Sequence, residues 1–195
     1  MPVSTATEIE QYPRYVGLRL SADEYFELAD DGFRYELING VMVMSPSPML
    51  AHQAVVVEFI AQIAIYLREH PVGKVFPDID VRLDKDLVYR PDVVFVRSER
   101  LRKASKRLNV IPDLVVEIIS PSSRLLDRRE KKLDYERHGV QEYWVVDPEG
   151  ETFTFYCREG ELFLEVESKA DQFVSRAVPG FKLDLSALRA VLRSL

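Results

Sequence analysis

A chain of 195 residues, 47% hydrophobic and 30% charged, has the size and balance of one globular domain. A single cysteine, Cys157, excludes an intramolecular disulfide framework and a CxxC metal site. The net charge of −6 argues against binding nucleic acid through bulk charge.

No apolar run approaches the roughly 18 residues of a membrane span. The start, MPVSTATEIEQYPRY, lacks a basic segment followed by an apolar one, so the expected compartment is the cytoplasm. Residues 1–16 read as a loose leader, with the domain expected over about 20–190. Leu20–Asp30 reads as a short helix, with Ser21 and Glu24 as a capping box. FRYELINGVMVMS reads as a hairpin, because Asn39-Gly40 tolerates positive φ at both turn positions. In Pro48–His70, Val56, Phe59, Ile60, Ile63 and Leu67 recur at three- and four-residue steps, which predicts a long helix with one buried face. Strands are expected over Lys74–Leu83, Val88–Val96 and Leu114–Ser120, the last two apolar enough to be covered on both faces. Pro121, Ser122 and Ser123 end the third strand and start a helix to about His138, closed by Gly139. Gln141–Pro148 reads as another buried strand. A hairpin turning at Glu159-Gly160 and a short helix in PGFKLDLSALRAVL complete the chain. This order predicts an α/β fold with a mixed central sheet flanked by helices and added N-terminal and C-terminal hairpins.

Two carboxylates interrupt the apolar strands: Asp92 in YRPDVVFV and Glu117 in PDLVVEIIS. An ionised group in such a place needs a partner, because its desolvation costs several kcal/mol, on the order of 2–7 even for a neutral polar group. If the two strands pair, both carboxylates reach one point, and a hard divalent cation takes oxygen ligands of this kind. The alternative is that Asp92 caps its strand and Glu117 pairs with a core arginine. Glu36, in RYELING, is a third carboxylate that could complete the metal site or hold a water; a half-exposed strand residue paired with Arg34 or a lysine is the alternative. The helix after Ser123 offers Lys131 and Lys132 as the cation for a phosphate, with Asp127, Lys131 and Tyr135 on one side. His52, at the start of the long helix, is either a proton shuttle or phosphate contact, or simply a helix-start histidine. Two basic stretches could meet a phosphate backbone: Arg97–Arg107, with six Lys/Arg against one Glu, and Arg124–Arg137, with six against four acids. No GxSxG motif and no P-loop occur.

The segments YELINGVMVMSPSP, RPDVVFV, PDLVVEIISPSS, GVQEYWVVDP and PGFKLDLSAL resemble, in this order, the Uma-type putative restriction endonuclease family of the PD-(D/E)XK nuclease superfamily. The resemblance implies a restriction-endonuclease-like core and Mg²⁺-dependent DNA cleavage, with Mn²⁺ as a substitute. It assigns Asp92 and Glu117 to the two acidic positions of the motif, with Glu36 and His52 at recurrent family positions. The superfamily lysine stands two residues after the acidic one, where this chain has Ile119. The resemblance instead assigns that role to Lys131 on the following helix. A Mg²⁺-dependent endonuclease acting on DNA is therefore expected, with Asp92, Glu117 and Glu36 around the metal. A catalytically silent DNA-binding or oligomeric module and a phosphohydrolase of small nucleotides are the rivals. A homodimer or higher homo-oligomer is expected, joined through the YWVVDP strand and the C-terminal hairpin.

Overall fold

The computed structural model describes residues 12–45, 49–103, 108–119 and 126–194. Helix α1 (Ala22–Glu27) has the expected capping box between Ser21 and Glu24. Strands β1 (Tyr35–Ile38) and β2 (Val41–Met44) form the first hairpin, and Asn39 and Gly40 have φ of 51° and 73°. Helix α2 (Leu50–Glu69) buries Val55, Val56, Phe59 and Ile63. Its length and mean hydropathy of 1.6 would suffice for a membrane span, contrary to the sequence reading; its buried face packs against the sheet, while Leu50, Val57 and Ile65 are exposed.

The two strands expected next are each broken in the middle. Lys74–Leu83 divides into β3 (Gly73–Pro77) and β4 (Val81–Asp84), and Val88–Val96 into β5 (Leu87–Tyr89) and β6 (Val93–Arg97). The cause is a double crossing between two sheets. Asp78 takes a φ of 50° after Pro77, and its N–H donates to the Asp92 carbonyl at 3.1 Å. Pro91 has no N–H to give a ladder. β4 and β5 belong to a four-stranded sheet ordered β2-β1-β5-β4, whereas β3 and β6 belong to a six-stranded one.

After helix α3 (Ser98–Leu101) come β7 (Leu114–Ile118), a π-helical turn (Leu126–Lys131) and helix α4 (Lys132–Arg137). The expected helix start at Ser122 and Ser123 and the side chain of Asp127 lie outside the described residues, as does part of each basic stretch. Strand β8 (Glu142–Asp147) precedes the hairpin β9 (Thr152–Glu159) and β10 (Leu162–Val166). A small pair, β11 (Gln172–Val174) and β12 (Lys182–Asp184), not foreseen from the sequence, precedes helix α5 (Leu185–Arg193).

The large sheet runs β10-β9-β8-β7-β6-β3, with β7 and β8 parallel and the other neighbours antiparallel. One face carries Val93, Phe95, Leu114, Val116 and Trp144 against α2 and α5. The other carries Val94, Val115, Ile119 and Tyr143 against Val81, Leu87 and Tyr89 of the small sheet and Tyr135 of α4. The outer face of the small sheet is covered by α1, through Ala22, Tyr25 and Phe26 around Leu37. β8 is buried along its whole length between β7 and β9, so YWVVDP is core and cannot be the expected subunit interface. Of that expectation the edge strand β10 remains, with Leu162 and Leu164 exposed. The buried Glu142 is structural. It accepts from Ser175 Oγ at 2.7 Å and Arg176 N at 2.6 Å, and so ties the segment before β12 to β8.

Candidate active site

The strand crossing sets the first ligand pair. β6 and β7 are antiparallel with Val93 opposite Val116 and Val94 opposite Val115. Continued by one residue, this register sets Asp92 opposite Glu117. Glu117 points to the face toward the small sheet, where Lys131 and Tyr135 meet it, whereas Asp92, just ahead of β6, reaches the β7 backbone and the start of α2. The Ile118 N–H donates to Asp92 Oδ2 at 2.7 Å, which pins the aspartate beside the β7 backbone. The other oxygen, Oδ1, lies 3.0 Å from His52 Nε2 at the start of α2. Nδ1 of His52 is buried, with no hydrogen-bond partner among the described residues.

Glu36 approaches from the facing sheet. Its neighbours Tyr35 and Leu37 point outward into the α1 cluster, so the alternation of the strand turns Glu36 toward the large sheet. Lys131 Nζ closes the gap, donating to Glu36 Oε1 at 2.9 Å and Glu117 Oε1 at 3.1 Å. Glu36, Glu117 and Lys131 are 6%, 4% and 5% exposed. Charges this deeply buried persist because each is paired and hydrogen-bonded. The Arg90 N–H also donates to Glu36 Oε1, at 2.9 Å, and the Tyr135 hydroxyl donates to Glu117 Oε1, at 2.9 Å. Burial, and then the Glu117 charge, push the Tyr135 phenol well above its ordinary value, so it remains a donor. The Tyr89 ring lies with its centroid 5.1 Å from Lys131 Nζ and walls the ammonium from solvent.

The choice between the two lysines is therefore geometric. Lys131 ends the π-helical turn inside the carboxylate cluster, whereas Lys132 lies over the Tyr156 ring at 4.6 Å. Short π-helical segments often occur at functional sites. The expected three-carboxylate ligand set is not gathered. Among the described residues no three His, Cys, Asp or Glu side chains are arranged to hold a metal. The physical reason is Lys131, whose ammonium stands between Glu36 and Glu117, while Asp92 turns to His52.

Sequence reasoning singled out all five side chains but missed the Arg90 amide and the direction of the Tyr135 hydroxyl. A backbone donor leaves no mark in side-chain chemistry, and a tyrosine at helical spacing reads as core. The basic stretch from Arg97 is partly structural. The Arg97 guanidinium donates to the carbonyls of Ala177 and Arg176, and that of Arg100 donates to the Ile111 carbonyl.

The family model described as Uma2, "Putative restriction endonuclease", matches residues 22–186. The chain belongs to this family. Within the Uma2 chain, the matched span contains all five candidate side chains. A crystal structure described as a putative nuclease belonging to DUF820, from Anabaena variabilis, superposes with a TM-score of 0.74 at 20% identity. The superposition covers 89% of this chain and 99% of that one. At that identity the likeness establishes the fold, a mixed sheet flanked by helices as expected from the sequence. No curated protein matches the chain.

Proposed function

We propose that this Uma2 protein is a metal-dependent endonuclease that hydrolyses DNA phosphodiester bonds. The observation that carries this reading is that the Ile118 N–H, next along the chain to Glu117, pins Asp92 beside β7 at 2.7 Å, with the Lys131 ammonium 3.1 Å from Glu117. The donor chemistry fits a hard cation: two carboxylates, each with further lone pairs beyond the bonds it accepts. Asp92 and Glu117 would hold Mg²⁺, or Mn²⁺ in its place. When bound, such an ion polarises a phosphodiester and lowers the pKa of a water.

The remaining work falls to the chain's own residues. Lys131 orients the attacking water or neutralises the scissile phosphate, at a Nζ kept in place by Glu36. His52 fixes the Asp92 carboxylate through Oδ1. Pairing of two copies at the β10 edge would give the homodimer expected of a duplex cutter.

The test is to incubate plasmid and single-stranded DNA with Mn²⁺. Metal-dependent nicking that disappears in Asp92→Ala supports the proposal. The second reading, a DNA-binding module that no longer cuts, is favoured by carboxylates that already have protein partners. DNA binding with no nicking by the wild type would establish it in place of the first.

A further inference from the structure

We propose that Tyr135 is a positioning residue for Glu117, and that its hydroxyl sets the affinity of the site for a divalent ion. The inference rests on the reading of Asp92 and Glu117 as the ligands. Lys131 and Tyr135 stand four residues apart across the junction between the π-helical turn and α4, and both donate to the same oxygen, Glu117 Oε1, at 3.1 and 2.9 Å. Residues at that spacing project from one helix side. One side of this helix therefore places two donors on one carboxylate oxygen and fixes the rotation of the group.

The two donors are not equivalent. Lys131 is shared with Glu36 and carries the charge needed at the phosphate. Tyr135 is fully buried, wedged between Tyr89 and Tyr143 with ring centroids at 5.5 and 5.1 Å, so its hydroxyl cannot swing away. Tyr135 thus holds Glu117 in register even when Lys131 moves toward a substrate. Groups that orient a metal ligand from behind typically alter metal affinity by about 10–100-fold when removed.

The experiment is calorimetric titration of Mn²⁺ into the full chain as wild type, Tyr135→Phe, Glu117→Gln, the double variant and Tyr66→Phe. Tyr66 donates its hydroxyl to the Pro179 carbonyl from α2, on the opposite sheet face, and serves as a tyrosine control. Thermal melts without metal confirm that each variant folds. Tyr135→Phe is expected to bind Mn²⁺ about 10-fold more weakly or worse, and Tyr66→Phe as the wild type does. In the double variant, loss of the hydroxyl is expected to add nothing to Glu117→Gln. The Mn²⁺ dependence of any nicking by Tyr135→Phe should shift to higher concentration with its plateau retained. Wild-type affinity in Tyr135→Phe, or a full additional loss in the double variant, overturns the role of Tyr135 and leaves the ligand assignment standing. Equal affinity in wild type and Glu117→Gln overturns the ligand assignment and the inference with it.

Discussion

Lys131 carries most of the electrostatics of the site. Its ammonium, 5% exposed, is the cation that Glu36 and Glu117 share from opposite sheets. Removing one partner of such a buried set leaves uncompensated charge and typically costs about 3–5 kcal/mol. Lys131→Met is expected to lose stability on that order in urea unfolding without metal, and to recover part of it when Mn²⁺ is added, because a ligand that binds only the folded state stabilises it. An unchanged urea midpoint would show that the cluster contributes little to folding. Asp92 and Glu117 were legible in the sequence because a carboxylate inside an apolar run is conspicuous. For Glu36 the sequence left open a metal, Arg34 or a lysine; that the partner is Lys131 depends on how two sheets stack. Cys157 is a contrasting case. Burial pushes its thiol up to about 12, and it lies beside the Glu142 carboxylate, so it is an inert core group.

At the scale of elements, the hairpin at Asn39-Gly40, the capping box of α1, the long α2 and the β9–β10 hairpin follow their local signals closely. The breaks at Pro77-Asp78 and Arg90-Pro91-Asp92 do not, because apolar character continues on both sides while the chain changes sheet. Those breaks create the site, since they place Asp92 at the point where the two sheets meet. The strand start at Gly73 shows how tight the neighbouring β3–β6 ladder is. A Cβ there would lie 2.4 Å from the Val96 carbonyl oxygen and 2.5 Å from the Phe95 ring. Gly139, which ends α4 with a φ of 85°, has open space around its missing Cβ. Gly139→Ala is therefore expected to cost only backbone strain, about 1–2 kcal/mol. Gly73→Ala should cost more, because a backbone carbonyl cannot step aside. Urea midpoints of the two variants check the order, and a smaller loss for Gly73→Ala would mean that the β3 edge yields.

On the scale of the whole molecule, two sheets with α1 outside one and α2 and α5 outside the other enclose a polar cluster at their junction. The layer order follows from burial: β7 and β8 are apolar on both faces and so require cover on each side. The net charge is −6, and the Arg97 guanidinium is spent on the carbonyls of Ala177 and Arg176. The central claim is that Asp92 and Glu117 bind one divalent ion. The most direct measurement is a crystal soaked in Mn²⁺ and recorded at an anomalous wavelength. The prediction is a single peak within ligand distance of both carboxylates, about 2.0–2.1 Å for a small hard ion. A crystal with no peak there, with Asp92 still on His52 and Glu117 still on Lys131 and Tyr135, would contradict it.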